Sequence, residues 1–321
     1  MVGLYGGYPW VMADGRVLTL LFGNGADEVF DPVSATFAGS PGPSLPAGSY
    51  FASVFAGRLV VFAPGNRVYL YDPAERKVSP AGGVSIGRTE FDQVALVDGR
   101  VLMLGGTDKA NNYVTSVEIY DPATGKTGTT GSMAEGRESF SATLLRNGNV
   151  LIAGGERQDE SGDDVFLSSA EIYNPATGKF TKTGSLHTPR SRFNAILLQD
   201  GRVLVVGGMG EGNMPLASAE IYDPSTGKFT KSGSMSLPRA YFTSTVLADG
   251  RVLIAGGDEL EPPYYASAEI YDPHTGTFTR TGSMLDPRAE QYAFLLPDGR
   301  VLIYGGLNNS GYLTSAELYW P

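Results

Sequence analysis

The sequence contains no cysteine and only two histidines, and this scarcity excludes several kinds of site. Without cysteine there is no disulfide, no thiolate metal site and no cysteine nucleophile. The absence of cysteine fits reducing and oxidising environments alike. The first seven residues also show neither the basic start nor the apolar core of a signal peptide. We therefore leave two compartments open, the cytoplasm and the outside of the cell after removal of a signal.

Positive charge is also scarce, with 24 Lys and Arg against 34 Asp and Glu and a formal net charge of -10. A protein that binds phosphate-rich surfaces needs a basic footprint, and this chain as a whole lacks one. No apolar run approaches the roughly 18 residues of a membrane span. We expect neither nucleic acid nor membrane as a partner.

What the sequence has in abundance is glycine and proline, with 43 and 20 residues. They punctuate a unit that contains a Gly-Arg or similar turn, a strand ending in a glycine pair, and a Tyr-Asp-Pro turn. The turn glycines are Gly15, Gly57, Gly99, Gly148, Gly201, Gly250 and Gly299. Neighbouring glycine numbers differ by 42, 42, 49, 53, 49 and 49. Repetition at such a period indicates a solenoid or a propeller.

Each full unit contains four strand-like runs, which predicts four-stranded blades arranged in a ring. The order of Pro-Arg, glycine pair, Tyr-Asp-Pro, Thr-Gly and an aromatic residue resembles the kelch repeat. This resemblance implies an all-β fold, a seven-bladed kelch-type β-propeller, in a single domain over residues 1–321. Phe180, Phe229 and Phe278 stand where the family usually has Trp, and Leu21-Phe22 and Ala63-Pro64 replace the glycine pair in the first two units.

The last unit stops after its third strand-like run, at Tyr319-Trp320-Pro321. We therefore expect the last blade to lack its outer strand. An open sheet edge can pair with another segment, so we expect a partner or a missing segment there.

The loops of successive units vary on one predicted face, whereas the turns on the other face scarcely change. A rigid scaffold with variable loops is where binding usually occurs. On these loops Tyr113, Tyr264 and Tyr265 would stack on a ligand or pack on neighbouring loops. The acidic stretch with Asp159, Asp163 and Asp164 is expected to be a solvated loop, with a calcium site as the weaker alternative.

Repetition separates scaffold residues from candidates for function, because a catalytic group is needed once. Five Arg and five Glu residues recur at fixed positions, and we expect them to form ion pairs and hydrogen bonds. They are Arg88, Arg137, Arg190, Arg239 and Arg288, with Glu118, Glu171, Glu220, Glu269 and Glu317. The repeated Phe91, Phe140, Phe193 and Phe242 are expected to pack between blades.

The residues on either side of the repeated Phe do not recur, and alternation along the innermost strand would point them into the central channel. The predicted channel mouth contains the candidate catalytic residues Glu90, Arg192, Tyr241 and Glu290. It also contains the candidate ligand-binding residues Tyr8, Tyr50, Asp92, Asn194 and Tyr292. The alternative is that these groups line a water-filled channel.

Two functional hypotheses follow. The first is a non-catalytic module that recognises a protein or a glycan with the variable loops and the channel mouth. The second is an enzyme acting on a polar substrate, of carbohydrate lyase, isomerase or cyclase type. In it Glu90 or Glu290 would be the general base, Arg192 would neutralise an anionic group, and Tyr241 would donate a proton.

Two other enzyme classes do not fit the sequence. The copper oxidases with kelch repeats use a Tyr-Cys crosslink and histidine ligands, whereas this chain has only His187 and His274. Sialidase propellers carry Asp-box motifs, which are absent from the sequence. We expect no cofactor.

Overall fold

The computed structural model describes residues 9–11, 16–19, 27–34, 36–40, 50–259 and 263–321. Within these ranges the chain is built from short antiparallel strands, and the one helical turn is a 3-10 helix at Glu211–Asn213. The prediction of an all-β propeller is confirmed.

The first three blades each contain four strands in consecutive order. Blade 1 comprises β1 (Pro9–Val11), β2 (Val17–Thr19), β3 (Asp27–Asp31) and β4 (Thr36–Ser40). Blade 2 comprises β5 (Tyr50–Phe55), β6 (Arg58–Ala63), β7 (Arg67–Asp72) and β8 (Lys77–Gly83). Blade 3 comprises β9 (Asp92–Ala95), β10 (Val101–Leu104), β11 (Ser116–Asp121) and β12 (Lys126–Ser132).

Blades 4 and 5 each carry an extra hairpin in the connection between their second and third strands. The strands of blade 4 are β13 (Ser141–Leu144), β14 (Val150–Ala153), β17 (Ala170–Asn174) and β18 (Lys179–Lys182), and its hairpin is β15 (Glu156–Gln158) with β16 (Asp164–Phe166). The strands of blade 5 are β19 (Asn194–Leu197), β20 (Val203–Val206), β23 (Ser218–Asp223) and β24 (Lys228–Ser234), and its hairpin is β21 (Met209–Gly210) with β22 (Met214–Pro215).

Blade 6 comprises β25 (Thr243–Val246), β26 (Val252–Ala255), β27 (Ala268–Asp272) and β28 (Thr277–Arg280). A last sheet follows, with β29 (Tyr292–Leu295), β30 (Val301–Tyr304) and β33 (Ala316–Tyr319), and a hairpin of β31 (Leu307–Asn308) and β32 (Gly311–Tyr312). The described residues thus form six four-stranded blades rather than the predicted seven, and the last sheet lacks a fourth strand, as the sequence predicted.

The core lies between neighbouring sheets. The second strands β10, β14, β20, β26 and β30 are four-residue apolar runs in which every residue is buried. Such runs are expected for strands covered on both faces. Apolar clusters join each sheet to the next from blade 2 onward and join the last sheet to blade 1 through Leu302 and Phe30.

The repeated Phe residues pack at these junctions, as predicted. Phe140 of blade 4 packs in the cluster shared with blade 3, and its ring lies against Gly105. A Cβ on Gly105 would lie 2.2 Å from that ring. Glycine is needed here because the backbone of one blade touches the aromatic ring of the next.

Candidate functional site

The repeated arginines form a buried lattice that shapes the approach to each inner strand. Arg190 donates from Nη1 to the carbonyls of Gly207 and Ser218, and its Nη2 lies 3.3 Å from Glu220. Glu220 in turn accepts hydrogen bonds from the backbone N–H groups of His187 and Thr188. Equivalent Arg–Glu pairs occur in the other units that carry them. The prediction that these residues are structural ion pairs is confirmed.

Two residues after each of these arginines, the backbone adopts a left-handed conformation in five successive units. The residues are Glu90, Ser139, Arg192, Tyr241 and Glu290, with φ between 51° and 55°. Non-glycine residues rarely adopt this conformation, which costs on the order of 1 kcal/mol or more. Since it recurs in every one of these units, the scaffold imposes it, and function does not explain it.

The cause of this conformation is a contact with the second glycine of the pair. In blade 5, Ser191 and Met209 form an isolated bridge, and a Cβ on Gly208 would lie 2.3 Å from the Ser191 carbonyl oxygen. The chain must then turn sharply at Arg192 before Phe193 packs into the blade junction.

These left-handed residues are neighbours across the blade junctions. The N–H of Arg192 donates to the carbonyl of Ser139 at 2.9 Å, and the N–H of Glu290 donates to that of Tyr241 at 2.8 Å. Positions that are 49 or more residues apart in the sequence therefore lie side by side. We call this set of residues and the polar groups that contact it the mouth cluster.

Arg192 is the centre of the mouth cluster. Its Nη2 lies 2.8 Å from Oε1 of Glu156, whose Oε2 accepts a hydrogen bond from the hydroxyl of Ser191 at 2.8 Å. The side chains of Arg192 and Tyr241 also lie close enough to interact electrostatically. Glu90 lies within the electrostatic reach of Arg192 and Glu156.

The far side of the cluster is formed by Tyr241, Asp258 and Glu290, which interact electrostatically. Asp258 is buried and forms a bridge with Ala240, in the position that Glu156 occupies in blade 4. The structure thus brings the four candidate catalytic residues, Glu90, Arg192, Tyr241 and Glu290, into one cluster.

The protein environment makes several of these carboxyl groups harder to ionise. Desolvation raises the pKa of Glu90 above its usual range, against the opposing field of Arg192. Desolvation also raises the pKa of Glu138, with repulsion from Glu156 and Glu90 adding to it. The pKa of Glu290 is raised by desolvation and by Asp258. The described part of the cluster thus has one guanidinium, that of Arg192, and a larger number of carboxyl groups, those of Glu90, Glu138, Glu156, Asp258 and Glu290.

Asp92 and Asn194 each lie two residues after a left-handed residue, at the starts of β9 and β19. Each of them forms a hydrogen bond to the next unit. Asp92 accepts hydrogen bonds from the N–H groups of Ala142 and Gln93, both at 2.7 Å. Desolvation raises the pKa of Asp92 to about 6, against these hydrogen bonds. Asn194 donates from Nδ2 to the carbonyl of Phe242 at 3.0 Å.

The predicted aromatic candidates have different surroundings. Tyr113 lies near Glu138, Glu156 and Asp164, at the edge of the mouth cluster. Tyr265 is buried, hydrogen-bonded to Glu259 and covered by Arg239, so it packs on its own loop.

The remaining aromatic candidates lie elsewhere. Tyr292 stacks on Tyr304 at 5.5 Å between ring centroids. Tyr264 is half-buried next to Tyr265. Tyr50 begins β5, and Tyr8 lies outside the described residues.

The acidic loop between β15 and β16 is held by its own backbone. Asp159 accepts hydrogen bonds from the N–H groups of Ser161 and Asp163 at 2.8 and 3.1 Å, and Asp163 and Asp164 are exposed. Among the described residues, no group of three or more His, Cys, Asp or Glu side chains is arranged to hold a metal ion.

Sequence reasoning missed Glu138, Glu156 and Asp258 as members of the mouth cluster. Glu138 precedes a left-handed residue, while Glu156 and Asp258 directly follow the glycine pair. Neither position keeps one residue type from unit to unit. Thr107, Met209 and Leu307 occupy the position after the glycine pair in the other units. A comparison of the residues after each glycine pair would have found Glu156 and Asp258, and a comparison of the residues after each repeated Arg would have found Glu138.

Comparison with known protein families identifies the repeat at two places in the chain. The Kelch motif model matches residues 93–126 and 192–236. The Kelch motif thus occurs at two places in the chain. Kelch propellers typically act as protein-interaction scaffolds. No curated protein matches the chain significantly, and no helix among its described residues is long and apolar enough to cross a membrane.

Proposed function

We propose that this kelch propeller is a non-catalytic binding module that recognises a partner protein with its variable-loop face and mouth cluster. The observation that carries the proposal is the excess of carboxylates around Arg192. Glu90, Glu138 and Glu290 are held where their negative charge is poorly solvated. A cationic side chain from a partner would offset the poor solvation and the repulsion between neighbouring carboxylates, because opposite charges favour each other's ionised forms.

The partner group that suits the mouth cluster is therefore a lysine or arginine side chain. Arg192 is already engaged by Glu156 and Tyr241, so it leaves the carboxyl groups of Glu90 and Glu290 to an incoming cation. Electrostatic complementarity of this kind governs specificity and association rate more than raw affinity.

The test uses a capped tripeptide, acetyl-Gly-Lys-Gly-amide, with norleucine replacing lysine in the control peptide. We expect the lysine peptide to shift NMR signals at the mouth, and the Glu90→Gln/Glu290→Gln variant to bind it about tenfold more weakly. Asp249→Asn/Asp298→Asn makes the same charge change at two Asp-Gly-Arg turns and should not alter binding. Equal binding of both peptides, or equal loss in both variants, would contradict the proposal.

The same carboxylates set the pH dependence of this binding. As the pH falls through the raised pKa values of Glu90, Glu138 and Glu290, they become neutral and lose their attraction for a cation. We therefore expect the affinity for the lysine peptide to decrease on acidification in the native protein. Binding by Glu90→Gln/Glu290→Gln should depend less on pH, and an unchanged pH profile would argue against these groups as the binding site.

Two alternative functions can be tested on the same residues. A glycan ligand and an acid–base enzyme built on Glu90, Arg192, Tyr241 and Glu290 remain alternatives, which single substitutions and activity on polar substrates would test.

We also propose that the three-stranded sheet is the seventh blade of one propeller domain over residues 1–321. Its packing against blade 6 and against blade 1 supports this.

A further inference from the structure

The junction between blades 2 and 3 is built differently from the junctions that follow it. In blades 3 to 6 the second strand ends in a glycine pair, and a long loop follows before the third strand. In blade 2 the pair is replaced by Ala63-Pro64, and residues 64–66 turn the chain directly from β6 into β7. The loop that covers the junctions from blade 3 onward is absent from this one.

In the other junctions, that loop supplies polypeptide backbone to the next blade. The N–H groups of Gly106, Gly155, Gly208 and Gly257 donate to the carbonyls of Arg137, Arg190, Arg239 and Arg288 at 2.8 to 3.0 Å. Pro64 stands at the equivalent position and has no N–H to donate. Within blade 2 the carbonyl of Asn66 accepts a hydrogen bond from Val84 N–H at 2.9 Å, as the carbonyl of Thr115 does from Met133 N–H in blade 3.

The short turn leaves a groove of about 290 Å³ between blades 2 and 3. Its walls include Phe62, Val84, Ile86, Phe91 and Met103. Phe91 is partly exposed, whereas its counterparts Phe140, Phe193 and Phe242 are buried. Arg88 is 8% exposed, whereas the other four lattice arginines are 0% exposed. Both differences are expected when a covering loop is missing.

The rim of the groove carries positive charge in a protein of net charge -10. Arg67 and Lys109 line it, and both are exposed. The carboxylate of Asp108 also lines it, but this carboxylate accepts hydrogen bonds from the N–H groups of Ala110 and Asn112 at 2.8 and 2.9 Å. An apolar groove with two cations at its rim suits an apolar group that is flanked by negative charge.

The size and the setting of the groove both indicate a peptide as its occupant. Ligand pockets for drug-sized molecules start at about 300 Å³, so this groove accommodates little more than one large side chain. In the neighbouring junctions the same space is covered by backbone of the chain itself. We propose that the groove between blades 2 and 3 binds an acidic segment of a partner protein by taking up one aromatic side chain.

This second site goes beyond the mouth cluster and does not depend on it, because it uses different residues and attracts the opposite charge. A partner could engage both sites at once, with a basic residue at Glu90 and an acidic aromatic segment beside Phe91. Binding at either site can fail while the other remains, so the two proposals are separable by experiment.

The test uses ¹⁹F NMR of acetyl-Glu-(5-fluorotryptophan)-Glu-amide with the full chain. We expect Lys109→Glu to weaken binding about three- to tenfold, the range for removing and reversing one partly screened charge. Lys182→Glu is the matched control, since it makes the same charge change at an exposed position of β18. It should bind like the native protein, and equal weakening by both variants would overturn the proposal.

Competing compounds and a filled groove test the chemistry. Unlabelled acetyl-Gln-Trp-Gln-amide and acetyl-Glu-Ala-Glu-amide should each compete at least threefold less well than acetyl-Glu-Trp-Glu-amide. Ile86→Trp, which enlarges a side chain on the groove wall, should abolish binding while a melting curve shows that the variant is folded. Competition by 4-phenylbutyrate as strong as by the acidic Trp peptide would show a small-molecule pocket and contradict the peptide proposal, as would undiminished binding by Ile86→Trp.

Discussion

Arg190 and Arg192 are two residues apart, yet they belong to regions built on opposite principles. Arg190 is fully buried and repeats in five units, with carbonyl and carboxylate partners inside its own blade. Arg192 is half-exposed and occurs once, with partners contributed by neighbouring blades. The lattice around Arg190 fixes the shape of each blade, and the cluster around Arg192 is the polar surface that this shape presents. Two residues of the same type therefore have different roles, because one repeats with partners in its own blade and the other occurs once with partners from its neighbours.

Replacing the two arginines by an apolar side chain of similar length should produce the largest contrast. Arg190→Met leaves Glu220 buried without its guanidinium, and we expect the free energy of unfolding to fall by about 3–5 kcal/mol. Arg192→Met removes partners that water can partly replace, so we expect a loss of about 1–2 kcal/mol. Urea denaturation measures both, and equal losses would show that the lattice and the mouth do not differ in this way.

The glycine pair provides the next contrast, since it joins the lattice of one blade to the next. A Cβ on Gly207 would lie 2.6 Å from the Phe242 ring and 2.8 Å from the Arg239 carbonyl oxygen, at a φ of +64°. We expect Gly207→Ala to lower the free energy of unfolding by about 2–4 kcal/mol. In Gly282→Ala the new Cβ meets nothing within 4 Å, so its stability should change by about 1 kcal/mol or less. Similar melting temperatures for both variants would contradict this account.

Asp92, at the start of β9, should give the smallest effect, which is seen in the pH dependence of stability. Its pKa is raised from 3.8 to about 6, so the folded state favours the protonated form. The stability from this preference is present below about pH 4 and is lost as the pH rises through about 6.

We therefore expect Asp92→Asn to flatten the pH dependence of stability between about pH 4 and pH 6. Above that range the variant should be more stable than the native protein by up to about 2 kcal/mol. Asn already occupies the equivalent position in blade 5, as Asn194. Thermal unfolding at several pH values measures the effect, with Glu160→Gln on an exposed loop as control. A variant whose stability keeps the native pH slope would rule out Asp92 as its source.

The sequence alone determined the scaffold. The period of its turns, the buried apolar second strands and the recurring Arg, Glu, Phe and glycine pair predicted an all-β propeller and the structural role of those residues. Each of these features repeats, and a repeated residue meets the same neighbours in each unit. Its role can therefore be inferred from its spacing. Non-repetition likewise pointed to Glu90, Arg192, Tyr241 and Glu290 as residues at one surface.

Only the tertiary structure decided which non-repeating residues meet. Glu156 reaches Arg192 from the preceding blade, Asp258 joins Tyr241 and Glu290, and Tyr265 packs on its own loop. The groove beside Phe91 likewise exists because a loop is short in blade 2 while the blade next to it keeps its aromatic residue. Most of these contacts join residues that are far apart in the sequence, and their distances depend on loop lengths and on blade packing. Local patterns in the sequence contain neither quantity.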